Sequence, residues 1–205
     1  MCGIAGIFSY NASAPDPDPR ELLAIRDAMT SRGPDGAGVW TDPSRRVILA
    51  HRRLAIIDTT DASAQPMATP DGQTVISFNG EIYNYRELRT ELQAHGVKLR
   101  TAGDTEVLLH LYMIHREAML DKLEGMFALA IWDQRANRLV LARDPHGIKP
   151  LYYAIQAGTV RFASSVRALM IGGALSRDPD PASAVGYLAW GSVPEPRTIY
   201  RSIRA

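Results

Sequence analysis

Apolar positions recur along this chain of 205 residues at two different intervals. Spacings of three and four residues are typical of helices with one buried face. They occur in four segments: residues 20–30, 83–96, 104–119 and 165–171. In the second segment, Asn84 and Glu87 resemble a capping box, and Gly96 occupies the position expected of a C′ residue. The pattern therefore predicts four helices.

Runs rich in β-branched and aromatic residues fill much of the remaining chain and predict short strands. After a strand-like start, these runs are residues 38–41, 45–51, 53–58, 74–80, 126–133, 138–144, 151–155 and 159–164. The turn sequences QRAN and QAG connect the last four runs into two hairpins.

Strands in hairpins, with helices gathered elsewhere in the sequence, predict an α+β fold rather than a parallel sheet wound with helices. The run MFALAIW at 126–132 is apolar at every position, so both of its faces should be covered. Two antiparallel sheets packed on each other, with helices outside, satisfy this requirement.

Charge and cysteine content exclude several classes of function. The 23 basic and 22 acidic side chains leave a formal net charge of +1, so no broad surface for nucleic acid or anionic lipid is expected. The single cysteine cannot form an internal disulfide, and no stretch approaches the ~20 apolar residues of a membrane span. With no recognisable targeting segment, these features predict a cytoplasmic protein.

The single cysteine is Cys2, directly after Met1. A small second residue normally permits removal of the methionine, which would give Cys2 a free α-amino group beside its thiol. Reference pKa values are ~7.7–8.0 for an α-amine and ~8.5 for a thiol, so the amine can take the thiol proton at little cost. Position 2 therefore predicts a nucleophile that carries its own base. The alternative is a small apolar residue at the start of a buried strand.

Eight segments, in their order along the chain, resemble the class II glutamine amidotransferase domain of the glutamine-hydrolysing asparagine synthetases. They are MCGIAGIF, SRGPDGAGVW, HRRLAIID, SFNGEIYNYRELR, AGDTEVLLHLY, LEGMFALAIWD, RDPHGIKPLYYA and FASSVRAL. The resemblance covers residues 2–172, and it implies the N-terminal nucleophile hydrolase fold, a four-layer αββα sandwich of two antiparallel sheets between helices. Residues 173–205 are rich in proline and are expected to form a linker to a synthetase domain that this chain does not include.

The resemblance implies three catalytic residues. Cys2 is expected to attack the side-chain amide of glutamine, which releases ammonia and leaves a γ-glutamyl thioester. Asn79 and Gly80 are expected to form the oxyanion hole, Asn79 through its side-chain amide and Gly80 through its backbone N–H. Without its neighbours, Asn-Gly would also be the sequence of a plain turn.

The resemblance also implies residues that bind the charged ends of glutamine. Arg53 matches the arginine that takes the α-carboxylate, and its planar fork suits bidentate pairing. Arg52 should point away, because adjacent strand residues face opposite sides of a sheet. Backbone groups of Leu54, Ile56 and Ile57 are expected to line the same pocket.

Glu81 and Asp104 match the acidic residues that hold the α-ammonium of glutamine in this family. Each has an alternative role. Asp104 precedes the helical sequence EVLLHLY and would serve as a helix N-cap, alone or in addition. If Glu81 does not bind the α-ammonium, it would be a solvent-exposed residue at the end of a strand.

Arg32, Gly33, Pro34 and Asp35 match a loop that lies near the active site in this family, but three positions in the matched segments depart from the family pattern. Ser31 stands where histidine is common, Gly103 replaces serine, and Ser165 replaces glutamate. The cluster Arg143, Asp144, His146 and Lys149 lacks the ligand spacing of a metal site, so we interpret it as a structural turn between two strands and expect no metal.

The predicted function is hydrolysis of L-glutamine to L-glutamate and ammonia, which requires no cofactor. The implied partner is an ATP-dependent synthetase domain, C-terminal or separate, and ATP and Mg²⁺ are expected only there. The identity of the amidated carboxylate and the formation of a homodimer stay open. The rival functions are another N-terminal nucleophile amidohydrolase, such as an acylase, and a catalytically silent docking module.

Overall fold

Nine strands and five α-helices form along the chain, which the computed structural model describes from Met1 to Ala205. The strands are β1 (Gly3–Ser9), β2 (Gly36–Thr41), β3 (Val47–Arg53), β4 (Met67–Ala68), β5 (Thr74–Ile82), β6 (Gly125–Asp133), β7 (Arg138–Arg143), β8 (Tyr152–Gln156) and β9 (Thr159–Ala163). The helices are α1 (Pro19–Asp27), α2 (Tyr85–Ala94), α3 (Asp104–His115), α4 (Val166–Ile171) and α5 (Pro181–Trp190). None of these helices has the length and apolar character needed to span a membrane.

The strands form two sheets in which all neighbouring strands are antiparallel. The first sheet has the order β2-β3-β1-β9-β8, and the second has the order β4-β5-β6-β7. Strand β1, which begins one residue after Cys2, is therefore the central strand of the first sheet.

The fold has four layers of helices and sheets, with a hydrophobic cluster between each pair of neighbouring layers. The inner cluster joins the two sheets and includes Leu49 of the first sheet with Val75 and Trp132 of the second. Helices α1 and α4 cover the outer face of the first sheet, where Ile25 is fully buried. Helices α2 and α3 cover the outer face of the second sheet, where Leu108 is fully buried. This architecture confirms the predicted α+β fold of two antiparallel sheets between helices.

Strand alternation decides which side chains of β3 face the second sheet. Val47 and Leu49 lie in the inner cluster, whereas Ile48 and Ala50 pack in the outer cluster with the helices. The same alternation directs His51 inward, toward the second sheet, and Arg53 follows on that face.

The alternation on β5 mirrors that on β3. Val75 lies in the inner cluster, and the hydroxyl of Ser77 donates a hydrogen bond to the Ala50 carbonyl across the sheets, at 3.2 Å. Ile76 packs on the outer side with the helices. Asn79, two residues after Ser77, therefore faces the first sheet.

The strand predicted at 53–58 is wrong. Strand β3 ends at Arg53, because its pairing with β1 ends at Arg52 and its pairing with β2 ends at Arg53. Beyond this point no strand is available to pair, so residues 54–58 form a loop in which Ile56 is 70% exposed.

The predicted capping box at the start of α2 is also wrong, whereas its predicted end is confirmed. Asn84 is the N-cap, but its side-chain amide binds the backbone of Lys122 and Glu124 instead of the helix. At the other end, Gly96 has a left-handed φ of 81° and Val97 donates to the carbonyl of Leu92, the pattern of a Schellman motif.

The predicted helix at 104–119 ends early, at His115. Arg116 has a φ of 53°, which is outside the range of a right-handed helix, and a 3₁₀ segment at Arg116–Lys122 follows. The hydroxyl of Tyr112 and the guanidinium of Arg116 both bind the buried carboxylate of Asp133 on β6, which fixes this corner.

The segment 173–205 contains helix α5 and lies against the first sheet. Leu175 and Ile203 are buried in the outer cluster, and Arg204 exchanges two backbone hydrogen bonds of 2.8 Å with Tyr153 of the edge strand β8. The exposed residues of α5 include Leu188 and Trp190, at 84% and 78%.

Candidate active site

A cleft of about 180 Å³ opens where β1, β3 and β5 end close together. All nine residues predicted to act in catalysis or substrate binding line this cleft. They are Cys2, Arg53, Leu54, Ile56, Ile57, Asn79, Gly80, Glu81 and Asp104.

Strand register explains why residues so distant in the chain meet here. Gly3 pairs with Arg52, so Cys2 and Arg53 lie at adjoining strand ends and both face the second sheet. Asn79 faces the first sheet from the opposite side of the gap. The cleft is thus the open end of the space between the two sheets.

The thiol of Cys2 is partly buried and held by the loop after β3. The Leu54 N–H donates to Sγ at 3.3 Å, and the Arg32 Nε donates to the Cys2 carbonyl at 3.0 Å. Burial raises the pKa of the Cys2 thiol, although the Leu54 N–H, the N-terminal amino group and the Arg53 charge act in the opposite direction. The sulfur is therefore protonated at neutral pH and needs a base to become a nucleophile.

Asn79 places an unsatisfied donor in the cleft. Its side chain is 1% exposed, and its Nδ2 has no hydrogen-bond partner. A buried amide without a partner typically destabilises a fold by about 1–3 kcal/mol, so an unpaired amide beside a cleft is a candidate for binding a ligand. This amide is available to a ligand that presents an oxygen.

The backbone N–H of Gly80 is a second free donor, because odd- and even-numbered residues of β5 direct their backbone groups to opposite edges of the strand. Just beyond the two ends of β6, Gln73 accepts from the N–H of Gln134 and Tyr83 donates to the carbonyl of Glu124. These bonds show that the odd-numbered residues of β5 direct their backbone N–H and C=O groups toward β6. The backbone N–H and C=O groups of the even-numbered residues point to the other edge of β5. There β4 is only two residues long, and its pairing with β5 ends at Ile76. The N–H of Gly80 therefore points into the open cleft.

Only glycine fits at position 80. A Cβ on this residue would lie well inside the van der Waals distance of the Met126 carbonyl and the Phe127 Cα. The Asn79-Gly80 pair is part of strand β5, so the alternative of a plain turn is wrong.

The two adjacent arginines point in opposite directions, as the strand alternation predicted. Arg53 lines the cleft, and its guanidinium donates to the backbone carbonyls of Asp58 and Thr60. Arg52 lies on the outer face and donates to Asp27 of α1 at 2.6 Å.

The carboxylate of Asp58 anchors the loop that follows Arg53. It accepts hydrogen bonds from the backbone and hydroxyl of Thr60 and, at 2.9 Å, from the N–H of Ala102. These bonds, chiefly the one from the Thr60 hydroxyl, hold the pKa of Asp58 far below its usual range. The loop is thereby tied to the segment that leads into α3.

Asp104 begins α3, with Gly103 at the N-cap position, so Asp104 is not the N-cap. Its Oδ2 accepts a hydrogen bond from the N–H of Ile82 at 3.1 Å, the next even-numbered residue after Gly80 on the open edge of β5. Burial raises the pKa of Asp104 from its ordinary 3.8 to about 6. Glu81 is exposed beside it in the same cleft.

The turn at 144–149 is structural, as predicted from its sequence. The Asp144 carboxylate accepts backbone hydrogen bonds from Phe127, His146, Ile148 and Lys149. No group of three or more His, Cys, Asp or Glu side chains is arranged to hold a metal ion.

Five polar residues that line the cleft were not predicted from the sequence, and they are Asp58, Ser63, Gln65, Thr105 and Lys149. Four of them are buried, and Lys149 was assigned only to the turn. Single polar residues scattered over separate segments carry no periodic signal, so only their convergence in the folded chain identifies them.

The three departures from the family pattern have separate structural settings. Ser31 is exposed, and Ser165 caps α4 by accepting a hydrogen bond from the Ala168 N–H. A Cβ at Gly103 would have ordinary contacts of 3.6 Å with Asp58 and Ser63, so a side chain fits there.

Comparison with known proteins identifies close relatives in sequence. Residues 1–205 match the family model described as the glutamine amidotransferase domain. The chain is 42% identical over 200 residues to asparagine synthetase [glutamine-hydrolyzing] 1 of Bacillus subtilis, covering 97% of this chain and 31% of that protein. It is 38% identical over 222 residues to a putative asparagine synthetase [glutamine-hydrolyzing] of Mycobacterium tuberculosis, covering 100% of this chain and 33% of that protein. The chain thus spans about a third of the length of these relatives.

Solved structures show the same fold at lower sequence identity. The glutamine phosphoribosylpyrophosphate amidotransferase of B. subtilis superposes with a TM-score of 0.70 and 23% identity, covering 83% of this chain and 43% of that one. This likeness supports the fold of two antiparallel sheets between helices.

Proposed function

The chain belongs to the glutamine amidotransferase domain family, and on that premise we propose that it hydrolyses L-glutamine to L-glutamate and ammonia through a thioester on Cys2. The observation that carries the proposal is the unpaired, buried amide of Asn79 in the same cleft as the only thiol of the chain.

In the proposed mechanism, removal of Met1 gives Cys2 a free α-amino group. This amine takes the thiol proton, and Sγ attacks the side-chain carbonyl carbon of glutamine. The Asn79 amide and the Gly80 N–H donate to the oxygen as it becomes negative. The intermediate collapses, the proton passes from the ammonium of Cys2 to the leaving nitrogen, and ammonia departs. Water, deprotonated by the same amine, then cleaves the thioester to release glutamate.

Charges at the mouth of the cleft suit the two ends of the substrate. We assign the α-carboxylate of glutamine to Arg53, whose guanidinium is oriented by the loop carbonyls it already binds. We assign the α-ammonium to Glu81 and Asp104. Backbone groups of the loop that includes Leu54, Ile56 and Ile57 complete the pocket.

The longer relatives suggest the fate of the ammonia. Because the chain covers only about a third of two glutamine-hydrolysing asparagine synthetases, we propose that residues 2–172 form the glutaminase domain and that 173–205 connect it to a synthetase domain. That domain would use ATP and Mg²⁺ to activate a carboxylate and would accept the ammonia. We place the protein in the cytoplasm.

The test is ammonia release by the purified chain from free glutamine, compared with asparagine and N-acyl amides. We expect hydrolysis of glutamine and little of the other amides, because Arg53 and the acidic pair need both charged ends. Preference for an acyl amide would instead identify another N-terminal nucleophile amidohydrolase. Absence of all hydrolysis from a chain that lacks Met1 would identify a silent docking module.

Asp104 should make glutamine binding depend on pH. Only its ionised form attracts the α-ammonium, so with a pKa of about 6 the affinity should rise with pH and level off above neutrality. For a single titrating group, the dissociation constant at pH 5 should be about tenfold higher than at pH 7. Calorimetric titration of glutamine into Cys2→Ala measures this without turnover, and Asp104→Asn should flatten the profile. A parallel profile in Asp104→Asn would contradict the assignment.

A further inference from the structure

The edge of β5 beyond β4 is stabilised by side chains instead of a neighbouring strand. Pairing with β4 ends at Ile76, so the backbone groups of Phe78, Gly80 and Ile82 lack a strand partner on this edge. Gly80 is open to the cleft, and Asp104 binds the N–H of Ile82. Both backbone groups of Phe78, directly before the oxyanion residues, are bound by side chains.

The first of these side chains is Gln65, which is 8% exposed. Its Oε1 accepts a hydrogen bond of 2.6 Å from the Phe78 N–H. Its Nε2 donates to the hydroxyl of Thr105 at 3.2 Å, beside Asp104 at the start of α3. The amide of Gln65 therefore takes the place of the strand pairing that β4 would have provided, and ties β5 to the helix.

The second side chain is His51, which is 1% exposed and projects from β3 into the space between the sheets. Its Nε2 lies 2.9 Å from the Phe78 carbonyl oxygen. A carbonyl can only accept, so Nε2 carries the proton and donates. Nδ1 has no partner, which suits a neutral ring, and burial lowers the pKa of His51 to about 4.

The peptide group between Phe78 and Asn79 belongs to the second sheet and is thus held by a side chain of the first sheet. Its carbonyl belongs to Phe78 and its nitrogen to Asn79, so the hydrogen bond from His51 fixes the plane from which the Asn79 side chain departs. The strand that carries His51 continues to Arg53 and lies beside Cys2. This contact links the strand of the oxyanion donors directly to the sheet that carries the nucleophile.

We propose that His51 and Gln65 are positioning residues of the oxyanion hole: they clamp the two backbone groups of Phe78 and so aim the Asn79 amide and the Gly80 N–H at the reacting carbonyl. This inference rests on the proposed glutamine hydrolysis. Neither residue touches the reacting atoms, so their removal should lower kcat far more than it changes KM.

The test compares His51→Leu, which removes the donor, with His51→Gln, whose Nε2 can reach the same carbonyl. We expect His51→Leu to lower kcat by about 10- to 100-fold with KM for glutamine changed less than about threefold, because a displacement near 1 Å is enough for such a loss. His51→Gln should recover most of kcat. Gln65→Met should also lower kcat, since it releases the other group of the same residue.

A matched control separates positioning from loss of stability. Trp132 donates from its indole to Asp42 at 2.9 Å, another buried hydrogen bond between the two sheets, but at the end of β6 far from the cleft. Trp132→Phe should lower thermal stability and leave kcat unchanged. Equal kcat losses in Trp132→Phe and His51→Leu, or no recovery in His51→Gln, would overturn the proposal.

A readout without turnover distinguishes this inference from the proposed function. The ¹⁵N-resolved NMR signals of the Asn79 side-chain amide, assigned by their loss in Asn79→Asp, report its placement directly. They should shift or broaden in His51→Leu and keep their positions in Trp132→Phe. Unchanged Asn79 signals in His51→Leu would overturn the positioning role. If the signals shift in His51→Leu but the wild-type chain does not hydrolyse glutamine, only the proposed hydrolysis is refuted.

Discussion

Replacement of Cys2 by alanine should reduce ammonia release from glutamine by on the order of 10⁴-fold or more, because it removes the atom that forms the thioester. The thiol has one close donor, the Leu54 N–H, and is only partly buried, so the variant should fold normally. Initial rates at saturating glutamine, with thermal midpoints of both proteins, measure the effect. An undiminished rate would exclude Cys2 as the nucleophile.

The chain offers an internal check on this result, because Cys2 is its only cysteine. A glutamine-like electrophile should add its mass to the N-terminal peptide alone, and Cys2→Ala should add none. Protein that retains Met1, identified by intact mass, should be nearly as inactive as Cys2→Ala, since its α-amine is on another residue. Full activity with Met1 in place would refute the amine as the general base.

Replacement of Asn79 by alanine should lower kcat by roughly 10²–10³-fold, the usual effect of removing one oxyanion donor. KM for glutamine should change little, because the donor acts mainly on the charge that develops in the transition state. Asn79→Asp should be at least as damaging, since a carboxylate places a negative charge beside the developing oxyanion. Steady-state kinetics of the three proteins measure these effects.

Ser77→Ala is the matched control for Asn79. Ser77 lies on the same face of β5 two residues earlier, and its hydroxyl binds the Ala50 carbonyl across the sheets. Its removal should lower stability slightly and leave kcat unchanged. Asn79→Ala, by contrast, removes an amide whose Nδ2 has no partner, so it should lower stability less than a typical buried polar truncation. A kcat loss in Ser77→Ala equal to that in Asn79→Ala would contradict the oxyanion role.

Strand alternation made much of the site predictable from sequence. It assigned Arg52 and Arg53 to opposite faces because they are adjacent in a strand, and the two guanidinium groups do lie on opposite faces of β3. The all-apolar run of β6 likewise required cover on both faces, and this strand is buried between the other sheet and the helices.

Where the sequence misled, the missing information was non-local. The apolar pattern at 53–58 is as strand-like as many true strands, but a strand needs a partner, and the pairing of β3 is complete at Arg53. The capping pattern at Asn84 failed similarly, because the backbone of Lys122 and Glu124 competes for its side chain. Neither competitor is visible from the local segment.

By itself the sequence determined the chemistry of each side chain and the face of the strand on which it lies, because alternation is a property of the local backbone. Only the tertiary structure decided that β4 ends opposite Ile76. Because β4 ends there, the Gly80 N–H has no strand partner, and the backbone groups of Phe78 bind the side chains of His51 and Gln65 instead. Strand register and strand length depend on packing between residues far apart in the chain, and no single segment encodes them.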